Sequence, residues 1–231
     1  MSAKVLLVVG AGPALGYSLA ERFGREGFAV ALISRSSANL DALVSRLADH
    51  CVEAAGFPAD VADEESLRSA ITAAKVRFGT VDVLEYSPAP DHDTVLDALS
   101  ITPQNARDHL GRSLVGAVTA AREVLPEMLE RGSGAVLFTT GASATVPLPA
   151  HASVGLGMSA LRNYATVLHA ALAGTGVYAG TMMVATRIQK DTPGDPDRLA
   201  DTYWNMYVKR DRVETIVGDL ELLTRAGVST G

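Results

Sequence analysis

The chain of 231 residues is 48% hydrophobic and has 20 Lys and Arg against 26 Asp and Glu, a net charge of -6. This length and hydrophobicity suffice for a sizeable core in one α/β domain, and the absence of any basic cluster excludes the electrostatic footprint of a nucleic-acid-binding protein. The apolar runs are too short to span a bilayer, no secretory signal pattern follows Met1, and Cys51 alone cannot form an intrachain disulfide, so we expect a soluble cytoplasmic protein without a membrane, nucleic-acid or metal partner.

The first element is an apolar run over residues 4–9 that leads into a G-x-G-x-x-x-G pattern formed by Gly10, Gly12 and Gly16. An amphipathic helical pattern follows at once, so the segment predicts a strand, a tight turn and a helix. Glycine adopts positive φ without strain, and its lack of a Cβ lets a diphosphate approach the amides at the helix N-terminus. The segment therefore predicts a dinucleotide cradle, although glycine-rich turns between a strand and a helix also serve close packing alone.

Strand and helix patterns then alternate along the chain. Further strands are predicted at residues 28–33, 53–58, 81–86, 135–140, 177–184 and 212–217. Helices are predicted after a cap at Ser36 or Ser37, and at residues 63–78, 102–131, 153–173 and 197–210. Repeated βα units without a break in composition predict one domain over residues 1–231. Its fold class is α/β: a Rossmann-like, doubly wound domain whose mostly parallel sheet of six or seven strands has helices on both faces.

The glycine spacing resembles that of the short-chain dehydrogenase/reductase family, and the similarity continues over nearly all of the chain. Gly10 and Gly16 stand at the first and last glycines of the family's T-G-x-x-x-G-x-G motif, whereas Val9 replaces the Thr and Ala14 replaces the middle Gly. The resemblance implies a fold that binds NAD or NADP and, in most members, transfers a hydride.

The resemblance also implies which residues bind the nucleotide. After the second strand the chain reads Ser-Arg-Ser, where an acidic residue would accept the ribose hydroxyls of NAD. Arg35 instead offers a forked donor to the 2′-phosphate of NADP, so NADP is predicted over NAD, with a solvated arginine as the alternative. Asp60 resembles the family's contact to the adenine, or serves as a turn or helix cap. The predicted cofactor contacts are Gly10, Gly12, Ala14, Leu15, Gly16, Ser34, Arg35, Ser36, Asp60, Val61, Ser87 and Pro88.

The chain departs from the family at the residues that carry its chemistry. The resemblance assigns catalytic roles to an Asn, a Ser, a Tyr and a Lys four residues after the Tyr. With residues 160–163 aligned to the segment that follows the Lys, these four positions are occupied by Ser113, Gly141, Val154 and Met158. No shift of register restores the pair, because no Lys occurs between Arg131 and Arg187. Val154 and Met158 cannot exchange protons, so the alignment excludes the family's usual mechanism.

Two residues are candidates for acid-base chemistry in place of this set. His151 precedes the long helix in a Pro-rich loop, and an imidazole suits proton transfer near neutral pH, with a partly exposed loop histidine as the alternative. Tyr86 ends the strand predicted at 81–86 and is interpreted as a donor to a substrate oxygen or as an aromatic cover over the cofactor. The aromatic stripe over 203–207 indicates a wall of the substrate cavity or a part of the core. Arg162 is interpreted as half of a salt bridge between helices.

These observations lead to the hypothesis of an NADP-binding oxidoreductase that acts on a small organic substrate by a route without the Tyr and Lys. The nicotinamide supplies the hydride and the site supplies orientation. The alternative is a catalytically silent NADP sensor or scaffold subunit, because the predicted nucleotide-binding turn is intact whereas the following long helix lacks the family's catalytic Tyr and Lys. The long helices from Thr102 and Ser153 resemble the pair that forms the family's four-helix interface, so a homodimer or homotetramer is predicted.

Overall fold

The strands of the chain form one sheet in the computed structural model, which describes residues 3–228. They are β1 (Val5–Val9), β2 (Ala29–Ser34), β3 (Ala54–Pro58), β4 (Val83–Tyr86), β5 (Gly134–Gly141), β6 (Val177–Ala185) and β7 (Glu214–Gly218). These seven strands pair in the order β3-β2-β1-β4-β5-β6-β7, and every pair is parallel. Strands β1 and β6 are buried along their whole length, which is why their sequences are almost continuously apolar.

Helices cover both faces of the sheet. They are α1 (Leu15–Gly24), α2 (Ser37–Ala48), α3 (Glu64–Phe78), α4 (Pro103–Leu110), α5 (Gly116–Glu130), α6 (Ala152–Ala171), α7 (Pro196–Lys209) and α8 (Leu220–Val228). One core layer joins a face of the sheet to α1, α2 and α7, and the other joins the opposite face to α3, α5 and α6. Within residues 3–228, no helix combines the length and the apolar character needed to cross a bilayer.

Short polar side chains determine where several helices begin. The Ser36 hydroxyl accepts the amide of Asn39 at the start of α2. The Asp63 carboxylate accepts hydrogen bonds from amides of the first turn of α3. Thr102 caps α4, and a proline directly follows Thr102. Each cap satisfies amide groups that the first helical turn leaves without an intrahelical acceptor. Of the two predicted caps for α2, the structure selects Ser36.

The predicted fold class is confirmed, and the strand predicted at 212–217 is present as β7. The helix predicted at 102–131 is wrong in its continuity, because a π-helical turn at Gly111–Val115 separates α4 from α5. Inside this turn the carbonyl of Arg112 accepts a hydrogen bond from the Tyr86 hydroxyl, a tertiary contact that helical periodicity does not reveal. Helix α8 was not predicted.

The strand order places a crevice at one edge of the sheet. From β1 the chain moves outward to β2 and β3, and it then returns to β4 on the other side of β1 and continues to β7. The segments that leave the carboxyl ends of β1 and β4 therefore diverge. In doubly wound sheets this point of divergence is where ligands bind.

Candidate functional site

The turn between β1 and α1 depends on its glycines in three different ways. Gly10 has a φ of +95°, and a Cβ there would lie 2.5 Å from the Cα of Pro88, so both the conformation and the close approach of two backbones require glycine. A Cβ on Gly16 would lie 2.9 Å from the Cα of Ala11. Gly12 faces open space, with nothing within 4 Å of an added Cβ. Two glycines therefore permit close packing, and the third leaves room for a ligand.

The first turn of α1 lacks a side-chain cap, because Ala14 occupies the N-cap position. The loop before it is held instead by Asn39, whose Nδ2 donates to the carbonyl of Ala11 at 3.1 Å, and by the amide of Ala11, which donates to the carbonyl of Ile33 at 2.8 Å. Amides of a first helical turn lie at the positive end of the helix dipole. Together with the space at Gly12, they fit the diphosphate of a dinucleotide.

A cavity of about 390 Å³ opens beside this turn. The residues predicted from sequence that line it are Gly10, Gly12, Ala14, Leu15, Gly16, Ser87, Pro88, Gly141, Val154 and Met158. The lining residues that were not predicted as site residues are Pro13, Ala89, Pro90, Thr139, Thr140, Val184, Thr186 and Ile188. One continuous space thus connects the glycine turn with α6 and the carboxyl ends of β5 and β6.

Three of the four positions aligned with the family's catalytic residues meet in this cavity. Val154 and Met158 lie one turn apart on α6, are half-buried and both line it. Gly141 lines it at the end of β5. Ser113 lies apart, buried in the π-helical turn, where a Cβ on Gly157 would approach the Ser113 hydroxyl to 2.6 Å.

The surface of the cavity is poor in groups that exchange protons. Among the described residues that line it, none is Asp, Glu, His, Lys, Arg, Cys or Tyr. The side chains there that are able to form ordinary hydrogen bonds are the hydroxyls of Ser87, Thr139, Thr140 and Thr186. The described part of the chain also contains no group of three or more His, Cys, Asp or Glu side chains arranged to hold a metal ion.

The structure places both candidate acids away from the cavity. Tyr86 is fully buried, its hydroxyl donates to the carbonyl of Arg112, and burial holds the pKa of its phenol far above the usual range. Alternate side chains of a strand face opposite sides of the sheet, and Tyr86 points into the layer of α3 and α5. The interpretation of Tyr86 as a substrate donor or a cofactor cover is therefore wrong. His151 is exposed in a short 3₁₀ turn before α6 and does not line the cavity.

The aromatic stripe on α7 belongs to the core. Tyr203 is fully buried, and the Trp204 ring packs edge-on against Phe23 of α1, with ring centroids 5.1 Å apart. Tyr207 contacts both Phe23 and Phe28. The stripe thus joins α7 to α1 and β2, and none of its residues lines the cavity.

The residues predicted to contact the adenosine end lie outside the cavity lining. Arg35 is exposed, and the described residues provide it with no hydrogen-bond or ion-pair partner. Ser34 is half-buried and Ser36 uses its hydroxyl as the cap of α2. The Asp60 carboxylate accepts a hydrogen bond of 3.0 Å from the amide of Ala62, which is the predicted turn role. Val61 is buried.

Sequence reasoning missed a buried acid directly beneath the cavity. Glu85 on β4 is 0% exposed, and its neighbours across the sheet are Val8 of β1 and Leu137 of β5. Its carboxyl group accepts a hydrogen bond of 2.8 Å from the hydroxyl of Ser87 and one of 2.7 Å from the hydroxyl of Thr139. Burial raises the pKa of Glu85 to about 7, although both hydrogen bonds act in the opposite direction. The available signal was an acidic residue inside a strand that is otherwise apolar.

The comparisons with known proteins agree with this geometry. The model of the family described as short chain dehydrogenase matches residues 4–194. A D-threitol dehydrogenase from Mycolicibacterium smegmatis is 29% identical over 182 residues, which cover 79% of this chain and 69% of that protein.

Solved structures agree in fold at low sequence identity. A metagenomic short-chain oxidoreductase in complex with NADP has a TM-score of 0.83 and 19% identity, covering 94% of this chain and 97% of that one. A 3-oxoacyl-[acyl-carrier protein] reductase with bound NAD from Brucella melitensis has a TM-score of 0.81 and 18% identity, and the match covers 93% of this chain and 90% of that one. The family match extends from β1 beyond β6, and the chain therefore belongs to the short-chain dehydrogenase family.

Proposed function

We propose that the protein is an NADP(H)-dependent oxidoreductase that acts on a small organic substrate of largely apolar character. The observation that carries the proposal is the continuity of the cavity: the glycine turn and the two aligned positions on α6 border the same space. A dinucleotide held at the turn and a substrate beside α6 would share that space.

The diphosphate would bind at Gly12 and at the uncapped amides of α1, where space and a positive dipole end coincide. Arg35 would receive the 2′-phosphate, since it is exposed and the described residues leave its guanidinium unpaired. An NADP complex is among the related structures, which supports this choice, whereas another relative holds NAD. The preference for NADP therefore rests on Arg35 and on the missing acid at this point of the chain.

The substrate end of the cavity favours apolar ligands. Val154, Met158, Val184 and Ile188 are aliphatic or thioether side chains, and they exclude water from a ligand beside them. Bound NADPH would supply the hydride. The chain's own residues would orient the substrate through the hydroxyls that border the cavity. A polyhydroxylated substrate such as the D-threitol of the relative's name finds few hydrogen-bond partners on this surface.

We also propose that the protein is a homodimer or homotetramer that associates through α6. Leu156 and Val167 are exposed and lie eleven residues apart, which places them on the same face of this helix. Single exposed apolar residues are common, but these two share one face of α6, with the exposed Asn163 between them, and a second copy would cover this face.

The proposal is tested by titrating NADPH and NADH, followed by nucleotide fluorescence, and by then measuring NADPH oxidation with ketones, diketones, enones and imines of apolar character. Saturable binding with turnover of at least one class supports the proposed function. Saturable binding with no turnover of any class favours the second function, a nucleotide sensor, which the lack of titratable side chains on the cavity surface motivates. If neither nucleotide binds saturably, both functions are excluded.

A further inference from the structure

A hydrogen bond connects the glycine turn with the buried carboxyl group of Glu85. Ser87 lies beside this turn: its carbonyl carbon would be 2.7 Å from a Cβ on Gly10, and its amide donates to the carbonyl of Val9 at 2.9 Å. The Ser87 side chain is half-buried, lines the cavity and bonds to Glu85, which has no exposed surface. The carboxyl group of Glu85 is therefore one hydrogen bond away from the space assigned to the nucleotide.

The two oxygens of this carboxyl group have different partners. Thr139 bonds to Oε1, and Thr139 is also the partner of the buried Tyr203 hydroxyl. Because the Tyr203 hydroxyl donates to Thr139, the single hydrogen of Thr139 is directed at Oε1. Among the described residues, the group that bonds to Oε2 is the hydroxyl of Ser87. A proton on Glu85 therefore resides on Oε2, between Glu85 and Ser87.

The protonation state of Oε2 determines where the Ser87 hydrogen points. An ionised Oε2 can only accept, so the Ser87 hydroxyl donates to it and presents only lone pairs to the cavity. A protonated Oε2 donates to Ser87 Oγ, and the Ser87 hydrogen is then free to point into the cavity. Since ionised phosphate oxygens accept hydrogen bonds and do not donate them, a diphosphate at the glycine turn finds a donor in Ser87 in the second state only.

The described part of the chain provides Glu85 with no Lys, Arg or His partner. The flanking strands contribute Val8 and Leu137, and the ionisable group that approaches from α7 is the phenol of Tyr203, whose pKa burial raises. The buried or half-buried charged side chains of α1 and of the α7 N-cap have their partners elsewhere: Glu21 pairs with Arg25 and His50, Arg22 with Glu26 and Asp201, and Asp195 accepts the amides of Asp191 and Asp197. Burial without a cation raises the pKa of Glu85 to about 7.

We propose that nucleotide binding is linked to the protonation of Glu85: Ser87 donates a hydrogen bond to NADP(H) when Glu85 Oε2 carries a proton, and binding to the ionised form takes up one proton there. This inference rests on the proposed function, because it requires a dinucleotide at the glycine turn. Solvent supplies the proton through the Ser87 hydroxyl. Repulsion between a carboxylate and the anionic nucleotide acts in the same direction. Ser87 contacts the nucleotide, and Glu85 is a positioning residue that directs the Ser87 hydrogen.

Titrations of the wild type and Glu85→Gln with NADPH at pH 6 and 8.5, followed by nucleotide fluorescence, measure the linkage. In Glu85→Gln the amide oxygen would accept from Thr139 and the amide nitrogen would donate to Ser87, as the protonated acid does. The variant should therefore match the affinity of the wild type at pH 6 within about twofold and exceed it by about tenfold at pH 8.5. The ratio of the two affinities is the readout, because the 2′-phosphate, which titrates near pH 6, affects both proteins equally.

Ser87→Ala removes the donor and keeps the acid. Its NADPH affinity should be about tenfold below that of the wild type at pH 6 and should approach the wild-type value at pH 8.5, where the Ser87 hydrogen already points at Glu85. Thr181→Val is the control, because Thr181 does not line the cavity, and its affinity should equal that of the wild type at both pH values.

Calorimetry counts the protons directly. NADPH binding at pH 7.5, measured in two buffers of different ionisation enthalpy, should show more proton uptake by the wild type than by Glu85→Gln. The difference should be at most about one proton per nucleotide, because one carboxyl group is protonated.

The outcomes separate the inference from the function on which it rests. An NADPH affinity with the same pH dependence in the wild type and Glu85→Gln overturns the inference and leaves nucleotide binding in place. Weaker binding by Glu85→Gln at both pH values also overturns it, because a merely structural role would behave in this way. If Glu85→Gln does not fold, an equal loss of affinity at both pH values in Ser87→Ala, or no proton uptake by the wild type at pH 7.5, overturns the inference. A wild type that binds neither NADPH nor NADH overturns the proposed function and the inference together.

Discussion

The hydroxyl of Ser87 donates a hydrogen bond of 2.8 Å to the carboxyl group of Glu85. One partner lines the cavity and the other is inaccessible to solvent. The chain therefore retains an ionisable group within one hydrogen bond of its cavity, although that group lies on β4 and not on α6, where the family's Tyr and Lys positions lie.

Glu85 should make the stability of the fold depend on pH. Its pKa is about 7 in the folded protein against an ordinary value of 4.5. Because the folded value is the higher one, the contribution of Glu85 is fully present below pH 4.5 and is lost as pH rises to about 7. Over this interval the free energy of unfolding should fall by up to about 1.4 kcal/mol per pH unit.

Urea unfolding of the wild type and Glu85→Gln between pH 4 and 8 measures this contribution. The free energy of unfolding of Glu85→Gln minus that of the wild type should increase between pH 4.5 and about 7 and be constant above about pH 7.5. Thr181→Val removes a buried hydroxyl that has no hydrogen-bond partner, so it serves as the control and should show the pH dependence of the wild type. Parallel curves for the wild type and Glu85→Gln would mean that Glu85 is not titrating in the folded protein.

Arg35 should determine the choice between nucleotides. Arg35→Ala is expected to weaken NADPH binding by about 10- to 100-fold, the loss of one or two charge-assisted hydrogen bonds, and to change NADH binding by about twofold or less. Lys209→Ala removes the same charge from the surface outside the cavity and serves as the control. Equal weakening of both nucleotides by Arg35→Ala would contradict a contact to the 2′-phosphate.

Periodicity predicted the parallel sheet, whereas the resemblance to the short-chain dehydrogenase family singled out Val154 and Met158, and their spacing predicted that they lie together. Buried strands are apolar runs, and positions four residues apart share one face of a helix. The π-helical turn at Gly111–Val115 and the burial of Tyr86 depend on each other through a contact between distant segments. Helical periodicity contains no trace of that contact.

Glu85 illustrates a different limit. An acid within a buried strand is visible in the sequence, but its partners are not. Thr139 lies 54 residues away along the chain, and only the pairing of β4 with β5 brings the two together. The same holds for the cluster on α7, where apolar and aromatic spacing alone fits a cavity wall as well as a core.

Arg162 should stabilise the edge of the sheet. It was predicted to pair with another helix, whereas its Nε and Nη2 contact both carboxylate oxygens of Glu214 on β7, at 2.7 and 2.9 Å. The Arg162 side chain is partly exposed, so solvent weakens the pair, and a double-mutant cycle of Arg162→Ala and Glu214→Ala should give a coupling free energy of about 1 kcal/mol that decreases in high salt. Additive effects of the two substitutions would exclude a stabilising pair.

The face of α6 that carries Leu156 and Val167 should be the surface of self-association. Val167→Asp is expected to shift the mass measured by light scattering at micromolar concentration from an oligomer to a monomer, because a charge would be buried between copies. Val76→Asp alters an exposed valine on α3 and should leave the mass unchanged. A monomeric wild type would contradict the proposed interface.

The most direct test of the account compares NADPH titrations of the wild type, Gly12→Ala and Gly10→Ala, with unfolding measured in parallel. The wild type should saturate. Gly12→Ala adds a methyl group in open space, so its stability should change by less than about 0.5 kcal/mol while NADPH affinity falls by about tenfold or more.

Gly10→Ala should lose at least about 2 kcal/mol of stability as well as binding, because it combines positive φ with a backbone clash at Pro88. Loss of NADPH binding in Gly12→Ala without loss of stability is the result that places the nucleotide at this turn. NADPH binding by Gly12→Ala that equals the wild type, or a wild type that binds neither NADPH nor NADH, would contradict the account.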